Sequence, residues 1–308
     1  KGTKLKVFVG NKFSNNNSVN VYFYDNNTLG LTKKDLKVKN GYIEFDIEKT
    51  LDSFITMSII KKDIKEKSPP IRYSSRGKRI PKLEKFDELI KNNNIQVSEG
   101  EIPIVLLTKE NADIIEGLIE TDDKYFPFSR IIFDYFGADN VKKDTERALF
   151  AVIREIDKDN NTNAWRYEKN RDSFYRLIDY VMDSETKFFE ELEKGEKELP
   201  DKLVLRAGSA VTSLSSKVCK YLSEFMYGND DYYINDSYVR AMLLFYLDFY
   251  GVEHKELRSI DRVNGLSYVE LYEWLEKLHN ARNDKYADTI TKSQLDHIMW
   301  YCYKDYSL

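Results

Sequence analysis

Hydrophobic and polar residues follow two different patterns along the chain, and the first pattern covers the N-terminal part. Four segments there are short, rich in Val, Ile, Tyr and Phe, and bounded by turn-prone residues: KLKVFV, VNVYFY, YIEFDI and FITMSII. Such segments are typical of β-strands. A further apolar run, IPIVLL, predicts one more strand. The sequence therefore predicts a β-rich N-terminal domain over residues 1–107.

From residue 108 onward, apolar residues recur three and four positions apart, which is typical of amphipathic helices. This period is found first in KENADIIEGLIE, SRIIFDYFG and KDTERALFAVIREI. It continues after the polar segment DKDNNTNAW in six further segments: 166–182, 184–195, 209–226, 236–250, 267–281 and 291–304. We expect an all-helical domain over 108–308, which gives an α+β protein of two successive parts.

Length and composition limit the class of protein. The chain has 308 residues, 42% of them hydrophobic, so it is long enough for two domains. It contains no run of 18 apolar residues, and its first residues lack the apolar stretch of a secretory signal. Its two cysteines, Cys219 and Cys302, are too few for a disulfide framework or an iron–sulfur cluster. These features predict a soluble cytoplasmic protein without membrane contact.

The distribution of charge leaves a nucleic-acid partner open. A net charge of −4 argues against a general coat for nucleic acid, but local clusters decide binding. The loop 61–82 carries nine basic residues against two acidic ones, with a Pro-Pro pair and a Gly. This loop has two interpretations, a solvated connection or an arm that contacts DNA phosphates. In the second interpretation the contacts come from Arg72, Arg76, Lys78 and Arg79.

The common motifs of metal and cofactor sites do not occur in the sequence. Three scattered histidines are present, and neither an HExxH motif nor paired CxxC motifs are found. No GxGxxG, GxxxxGK[ST] or GxSxG motif occurs either. We therefore expect no bound metal, no cofactor, and no dinucleotide, nucleoside-triphosphate or serine-hydrolase chemistry.

One pair of residues with catalytic potential lies in the segment 209–252, which is predicted to form helix, loop and helix. Lys217 lies in the first helical part, and Asp236 follows nineteen residues later, directly before the apolar helix SYVRAMLLFYLDFY. Asp is a preferred N-cap residue, so we expect Asp236 to cap that helix. Taken singly, the two residues are typical of a helix surface and a helix cap.

Together, the flanking motifs resemble those of helix-hairpin-helix DNA glycosylases of the 8-oxoguanine type. In that family a hairpin of the form GVGTK ends in a nucleophilic lysine, and a segment of the form VPVDVHM supplies an aspartate nineteen residues on. This chain has SLSSK and YINDSYV at the same separation. Looser relatives carry an SxxSK and IxDSxV pattern with a late LDxxxW segment, and this chain ends in KSQLDHIMWYCYK. The resemblance covers residues 165–308.

The resemblance implies a DNA partner, base flipping and cleavage of an N-glycosidic bond. Lys217 takes the place of the nucleophile, and a lysine in a poorly hydrated pocket has its pKa lowered toward neutrality. Asp236 takes the place of the carboxylate that stabilises an oxocarbenium-like sugar. The excised base and the presence of lyase activity are left open, as is a role in DNA repair or in antiviral defence.

The chain departs from the family pattern at the hairpin. Ser213 and Ser215 replace the two glycines whose backbone approaches a DNA phosphate. We expect the hydroxyls of Ser213, Ser215 and Ser216 to contribute hydrogen bonds to phosphate instead.

Four more residues are candidates for the base pocket that a glycosylase needs. Tyr232 and Tyr233 precede Asp236, while Asp296 and Trp300 lie four apart on the last helix. Packing and capping are the competing interpretations for each of them.

Two other functions stay open beside the glycosylase. The missing glycines and the acidic composition favour a non-catalytic protein that retains the fold to bind nucleic acid. A role in protein interaction alone, for example in a defence or regulatory assembly, is also compatible with the composition.

Overall fold

The structure is a computed structural model, and it divides the chain into two compact units, Lys1–Ile71 and Arg72–Leu308. It describes residues 3–8, 18–25, 30–40, 42–47, 54–60, 83–99, 103–122, 125, 127–143, 146–257 and 259–304. The predicted DNA-contacting residues of the basic loop lie outside the described residues: Arg72, Arg76, Lys78 and Arg79.

The described residues of the first unit contain strands. Their bounds are β1 Thr3–Phe8, β2 Ser18–Asp25, β3 Gly30–Lys37, β4 Tyr42–Ile47 and β5 Phe54–Ile60. β1 pairs with β4, and β2 pairs with β3 on one side and β5 on the other, all antiparallel.

The second unit is helical, so the predicted all-helical C-terminal region is confirmed. Its helices are α1 Leu83–Asn93, α2 Lys109–Thr121, α3 Phe128–Phe136, α4 Ala138–Lys143, α5 Glu146–Asp159, α6 Glu168–Met182, α7 Phe188–Glu193, α8 Leu199–Ala207, α9 Thr212–Tyr227, α10 Ser237–Phe249, α11 Ile260–Asn264, α12 Tyr268–Lys285 and α13 Lys292–Tyr301. Capping boxes begin the last two, at Ser267 and Thr291. None of the helices described is both long and apolar enough to cross a membrane.

The boundary predicted between residues 107 and 108 falls inside the second unit. Phe86, Ile95 and Val105 are buried in the same core as residues of α10, α12 and α13. Burial of these apolar side chains stabilises the fold, so the segment that carries them packs with the helices.

The described residues 103–107 of the run predicted as a strand form one isolated bridge and no strand. Tyrosine hydroxyls accept hydrogen bonds from two of its backbone amides, which in a sheet would bond to a neighbouring strand. The hydroxyl of Tyr303 accepts a hydrogen bond from the Val105 amide, and that of Tyr250 accepts one from the Leu107 amide, both at 2.9 Å. The prediction was wrong because an apolar run reports burial and does not specify a sheet partner.

Helix α9 is enclosed on more than one face, which determines where the candidate site lies. Leu214, Val218 and Leu222 recur every four residues and are fully buried. Five polar side chains of the same helix are also buried: Ser215, Ser216, Lys217, Lys220 and Ser223. Buried polar residues need partners or a function, so their surroundings decide which applies.

Asp159, a half-buried carboxylate at the end of α5, contacts the start of α3 and gives the fold a pH dependence. Pro127 precedes α3 and provides no side-chain cap, but Asp159 accepts a hydrogen bond of 2.8 Å from the Ser129 amide. Burial raises the pKa of Asp159 to about 7, although this hydrogen bond opposes the shift. The folded protein therefore holds a proton on Asp159 that the unfolded chain loses above about pH 4.

We expect Asp159→Asn to remove this pH dependence, because asparagine resembles the protonated acid and still accepts the amide bond. The wild type loses free energy of unfolding from this group as pH rises from about 4 to 7, by at most about 4 kcal/mol. The free energy of unfolding of the variant, relative to that of the wild type, should increase over that pH range and stay constant above it. Urea unfolding of both proteins at several pH values measures it. A difference that does not change with pH would contradict the prediction.

Candidate functional site

The site is built on two helices joined by a tight turn. Helix α8 ends at Ala207, Gly208 follows with φ +100°, and a 3₁₀ turn over Ser209–Val211 leads into α9. The positive φ favours glycine at this position. Arg176 of α6 donates a hydrogen bond of 3.0 Å to the Ala207 carbonyl and so closes the end of α8. The turn that precedes Lys217 is thus fixed by a glycine and by an arginine from a third helix.

The turn lies earlier in the sequence than the resemblance implies. Ser213 and Ser215, expected at hairpin positions, are both within α9. Helix α8 was not predicted, because its nine residues are too few to show a clear 3.6-residue period and Pro200 stands at its start. The helix–turn–helix is present, but its glycine is Gly208.

Lys217 is a buried amine in the first half of α9. The residue is 6% exposed, and its amine forms no hydrogen bond or ion pair with any residue in the described part of the chain. Burial lowers the pKa of Lys217, while Asp236, Asp296 and Asp157 raise it by a smaller amount. A buried ammonium without a direct partner is costly, so the site favours the neutral amine.

Asp236 caps α10, as predicted. Its Oδ1 accepts hydrogen bonds from the amides of Tyr238 (2.9 Å) and Val239 (3.0 Å). Within the described residues no hydrogen bond reaches the other oxygen, Oδ2. The side chain is half-buried and interacts electrostatically with Lys217. The N-terminus of a helix stabilises a negative charge, so α10 fixes a carboxylate near the amine.

Ser216 holds the two elements of the pair together. Its hydroxyl accepts a hydrogen bond of 3.0 Å from the amide of Asn235, the residue before Asp236. Arg240 in turn donates to the Asn235 side chain at 2.7 Å and to the Leu266 carbonyl at 2.9 Å. This chain of bonds fixes the start of α10 against α9.

The serine hydroxyls therefore do not play the role expected of them. Ser215 and Ser216 are buried, and they donate hydrogen bonds to the carbonyls of Thr212 (2.9 Å) and Ser213 (3.1 Å). Buried hydroxyls that bond within their own helix are not available to a DNA phosphate. The expected contact is corrected for these two side chains, while Ser213 is half-buried and its role stays a prediction.

Asp296 of α13 lies in the same buried region as Lys217. Burial raises the pKa of Asp296 well above its usual value, and Asp236 adds to the shift, whereas Lys217 and Lys220 oppose it. Its Oδ1 is buried and has no hydrogen-bond partner among the described residues. Asp296 is thus favoured as a neutral acid, which can both donate and accept a hydrogen bond.

Lys220 is a second buried amine that the sequence did not indicate. It lies one turn after Lys217 on α9 and forms an ion pair with Asp230. Burial lowers the pKa of Lys220 to about 8. Its partner also accepts hydrogen bonds at the start of α13, from the amide (2.6 Å) of Lys292 and the hydroxyl (2.9 Å) of Ser293.

The aromatic candidates divide between core and surface. Tyr233 is fully buried, and its hydroxyl contacts Glu276 at 2.9 Å and His279 at 3.0 Å, which marks it as a packing residue. Tyr232 is also fully buried, so no surface of its ring is open to a base. Trp300 is half-buried and meets the ring of Tyr125 edge-on, with centroids 4.9 Å apart. The base-pocket prediction is corrected for the two tyrosines.

Asp157 is a further residue at the site that sequence reasoning missed. It is buried, and it accepts hydrogen bonds from the amides of Ala164 (2.8 Å) and Trp165 (3.1 Å) while interacting electrostatically with Lys217. Its position in the last turn of α5, where the polar segment DKDNNTNAW begins, was the available signal, since an Asp there often binds loop amides. Asp157 links that loop to the candidate site.

No metal-binding cluster of three His, Cys, Asp or Glu residues is found among the described residues. No family model, curated protein or solved structure matches the chain significantly.

Proposed function

We propose that this chain is a DNA glycosylase that extrudes a damaged or modified base and cleaves its N-glycosidic bond with Lys217 and Asp236. The observation that carries this proposal is the buried Lys217 amine, without a direct partner in the described residues and with its pKa lowered by burial. Nucleophilic attack on a sugar carbon needs a neutral amine, and a surface lysine provides mainly an ammonium. The fixed Asp236 carboxylate beside it supports the same chemistry.

The reaction follows from these two groups. The target nucleotide is first extruded, because C1′ cannot be reached inside a duplex. The Lys217 lone pair forms a bond to C1′ while the C1′–N bond breaks, and the electron pair leaves with the base, which takes up a proton. Asp236 stabilises the positive charge that develops on the sugar. The attached amine then loses one proton, the C1′–O4′ bond opens, and O4′ takes up a proton to leave an iminium.

The helix–turn–helix of α8 and α9 supports DNA as the partner. Ser209 and Ala210 of the turn are exposed, and backbone amides at such turns bind phosphate. Asp296 and Trp300 lie one turn apart on α13 and are retained as the proposed base-contacting residues. A neutral Asp296 suits an edge of a base that carries a donor beside an acceptor.

A second candidate function is a non-catalytic DNA-binding protein. The observation that favours it is the position of Ser213 and Ser215 inside α9, where the resembling family has a glycine hairpin. Such a protein would bind DNA and release no base.

We expect the wild type to release a base from at least one class of modified duplex, and this experiment separates the two functions. A panel of duplexes, each with one oxidised, alkylated, deaminated or naturally hypermodified base, is incubated with excess protein. Free base is measured by chromatography and mass spectrometry, with unmodified duplex as the control. Binding to these duplexes without release of any base would favour the second function.

A further inference from the structure

A basic and aromatic face lies on α5, α6 and the loop between them, outside the candidate site around Lys217. Its exposed or half-exposed basic residues are Arg154, Arg166, Lys169, Arg171 and Arg176. The acidic residues exposed beside them on α6 are Glu168, Asp172 and Asp179. Five basic residues against three acidic ones leave a local excess of positive charge in a chain of net charge −4. We call these five basic residues, with Trp165, Tyr167 and Tyr175, the α6 basic face.

Two cations of this face are not neutralised by a neighbouring acidic group within the described residues. Lys109 and Arg130 are each paired with an aspartate four residues on. In contrast, Arg166 and Lys169 form no ion pair or hydrogen bond with the described residues. Exposed cations without local partners are suited to bind an external anion.

Aromatic rings are interleaved with these charges. The guanidinium groups of Arg154 and Arg171 lie 5.6 and 5.1 Å from the ring centre of Trp165. Tyr167 is 50% exposed and Tyr175 is 45% exposed. Arginine combined with accessible aromatic rings is typical of surfaces that bind a nucleic-acid strand.

The α6 basic face adjoins the candidate site at two points. Asp157 binds the Trp165 amide and interacts electrostatically with Lys217. Arg176 donates its hydrogen bond to the Ala207 carbonyl, at the end of the helix that leads into the turn before α9. A strand that enters the site is therefore within reach of this face.

We propose that the α6 basic face binds the phosphate backbone of the DNA strand that flanks the nucleotide processed at Lys217. This inference rests on the proposed function and identifies the surface that holds the substrate. Phosphate contacts contribute affinity and little sequence preference, so the face should act on damaged and undamaged duplexes alike.

The test is the double variant Arg166→Gln/Lys169→Gln, which changes two side chains that have no partner among the described residues and leaves Trp165 packed. Affinity for a short duplex with a tetrahydrofuran abasic-site analogue is measured by fluorescence anisotropy at several salt concentrations. We expect roughly tenfold weaker binding, and a plot of log affinity against log salt that is less steep by about two. Adding Arg171→Gln should weaken binding further. Borohydride trapping of the wild type on natural abasic DNA is measured alongside, so that binding and chemistry are judged separately.

A matched control is Lys277→Gln/Lys285→Gln, which removes two exposed charges from α12. It should leave the affinity and the salt slope near the wild-type values. Unchanged binding in the α6 variants, or an equal loss in the α12 control, overturns the proposed surface even if the wild type releases a base. Loss of binding in the α6 variants alone, with no adduct from the wild type, supports the surface and overturns the glycosylase.

Discussion

Lys217→Gln is expected to form no covalent adduct with abasic DNA under borohydride, whereas the wild type forms one. Borohydride reduces an iminium to a stable amine, so the trapped complex identifies the amine that has reached C1′. A natural abasic site offers the aldehyde form of C1′ whichever base was lost, so the experiment does not depend on the unknown substrate. Denaturing electrophoresis of the labelled DNA measures the adduct, and we expect its yield to fall at least about a thousandfold.

The second buried amine on the same helix provides a stringent comparison. Lys220→Gln removes an amine whose pKa burial lowers to about 8, one turn from Lys217. We expect this variant to form the adduct still, since Lys220 is held in an ion pair with Asp230. Thermal unfolding of both variants shows whether each is folded. If Lys220→Gln forms no adduct and Lys217→Gln still forms one, the nucleophile is Lys220 and the proposal for Lys217 is contradicted.

The parts of this structure that the sequence could predict are those determined by local periodicity and capping. Helix α9 and helix α10 follow the 3.6-residue period, and Asp236 caps α10 because an aspartate directly precedes the apolar stretch. Lys217 and Asp236 lie in these two consecutive helical segments, and the fold places them in one region. Local rules were sufficient because both residues lie near the start of a helix.

Other features depend on contacts between distant segments, and no local rule gives them. Tyr233 precedes the candidate carboxylate in sequence, yet its hydroxyl bonds to Glu276, 43 residues away, and makes it a core residue. Asp157 approaches Lys217 across 60 residues of chain. The serines of α9 are polar and were expected at the surface, but their small side chains allow close packing around the site.

Asp236 both caps α10 and carries a negative charge near Lys217, and substitution by asparagine separates these two properties. As a cap, its Oδ1 accepts two amide hydrogen bonds, and an asparagine oxygen can accept the same bonds. As a charge, it interacts with Lys217 and stabilises a developing cation, which asparagine cannot do. Asp201 offers the comparison, because its carboxylate accepts hydrogen bonds from the amides of Tyr268 (2.9 Å) and Val269 (3.0 Å) at the start of α12.

Asp236→Asn is therefore expected to slow base release by about 10²–10³-fold while α10 stays capped. Asp201→Asn makes the same substitution at another helix start, where it loses one of two amide hydrogen bonds because each oxygen of Asp201 accepts one. It should still release base at close to the wild-type rate. The measurement is single-turnover base release at saturating protein, with the free energy of unfolding of both variants measured alongside. If both variants lose activity in proportion to stability, the Asp236 carboxylate serves only as a cap. A loss of activity confined to Asp236→Asn, at a stability no lower than that of Asp201→Asn, assigns the effect to the Asp236 charge beside Lys217.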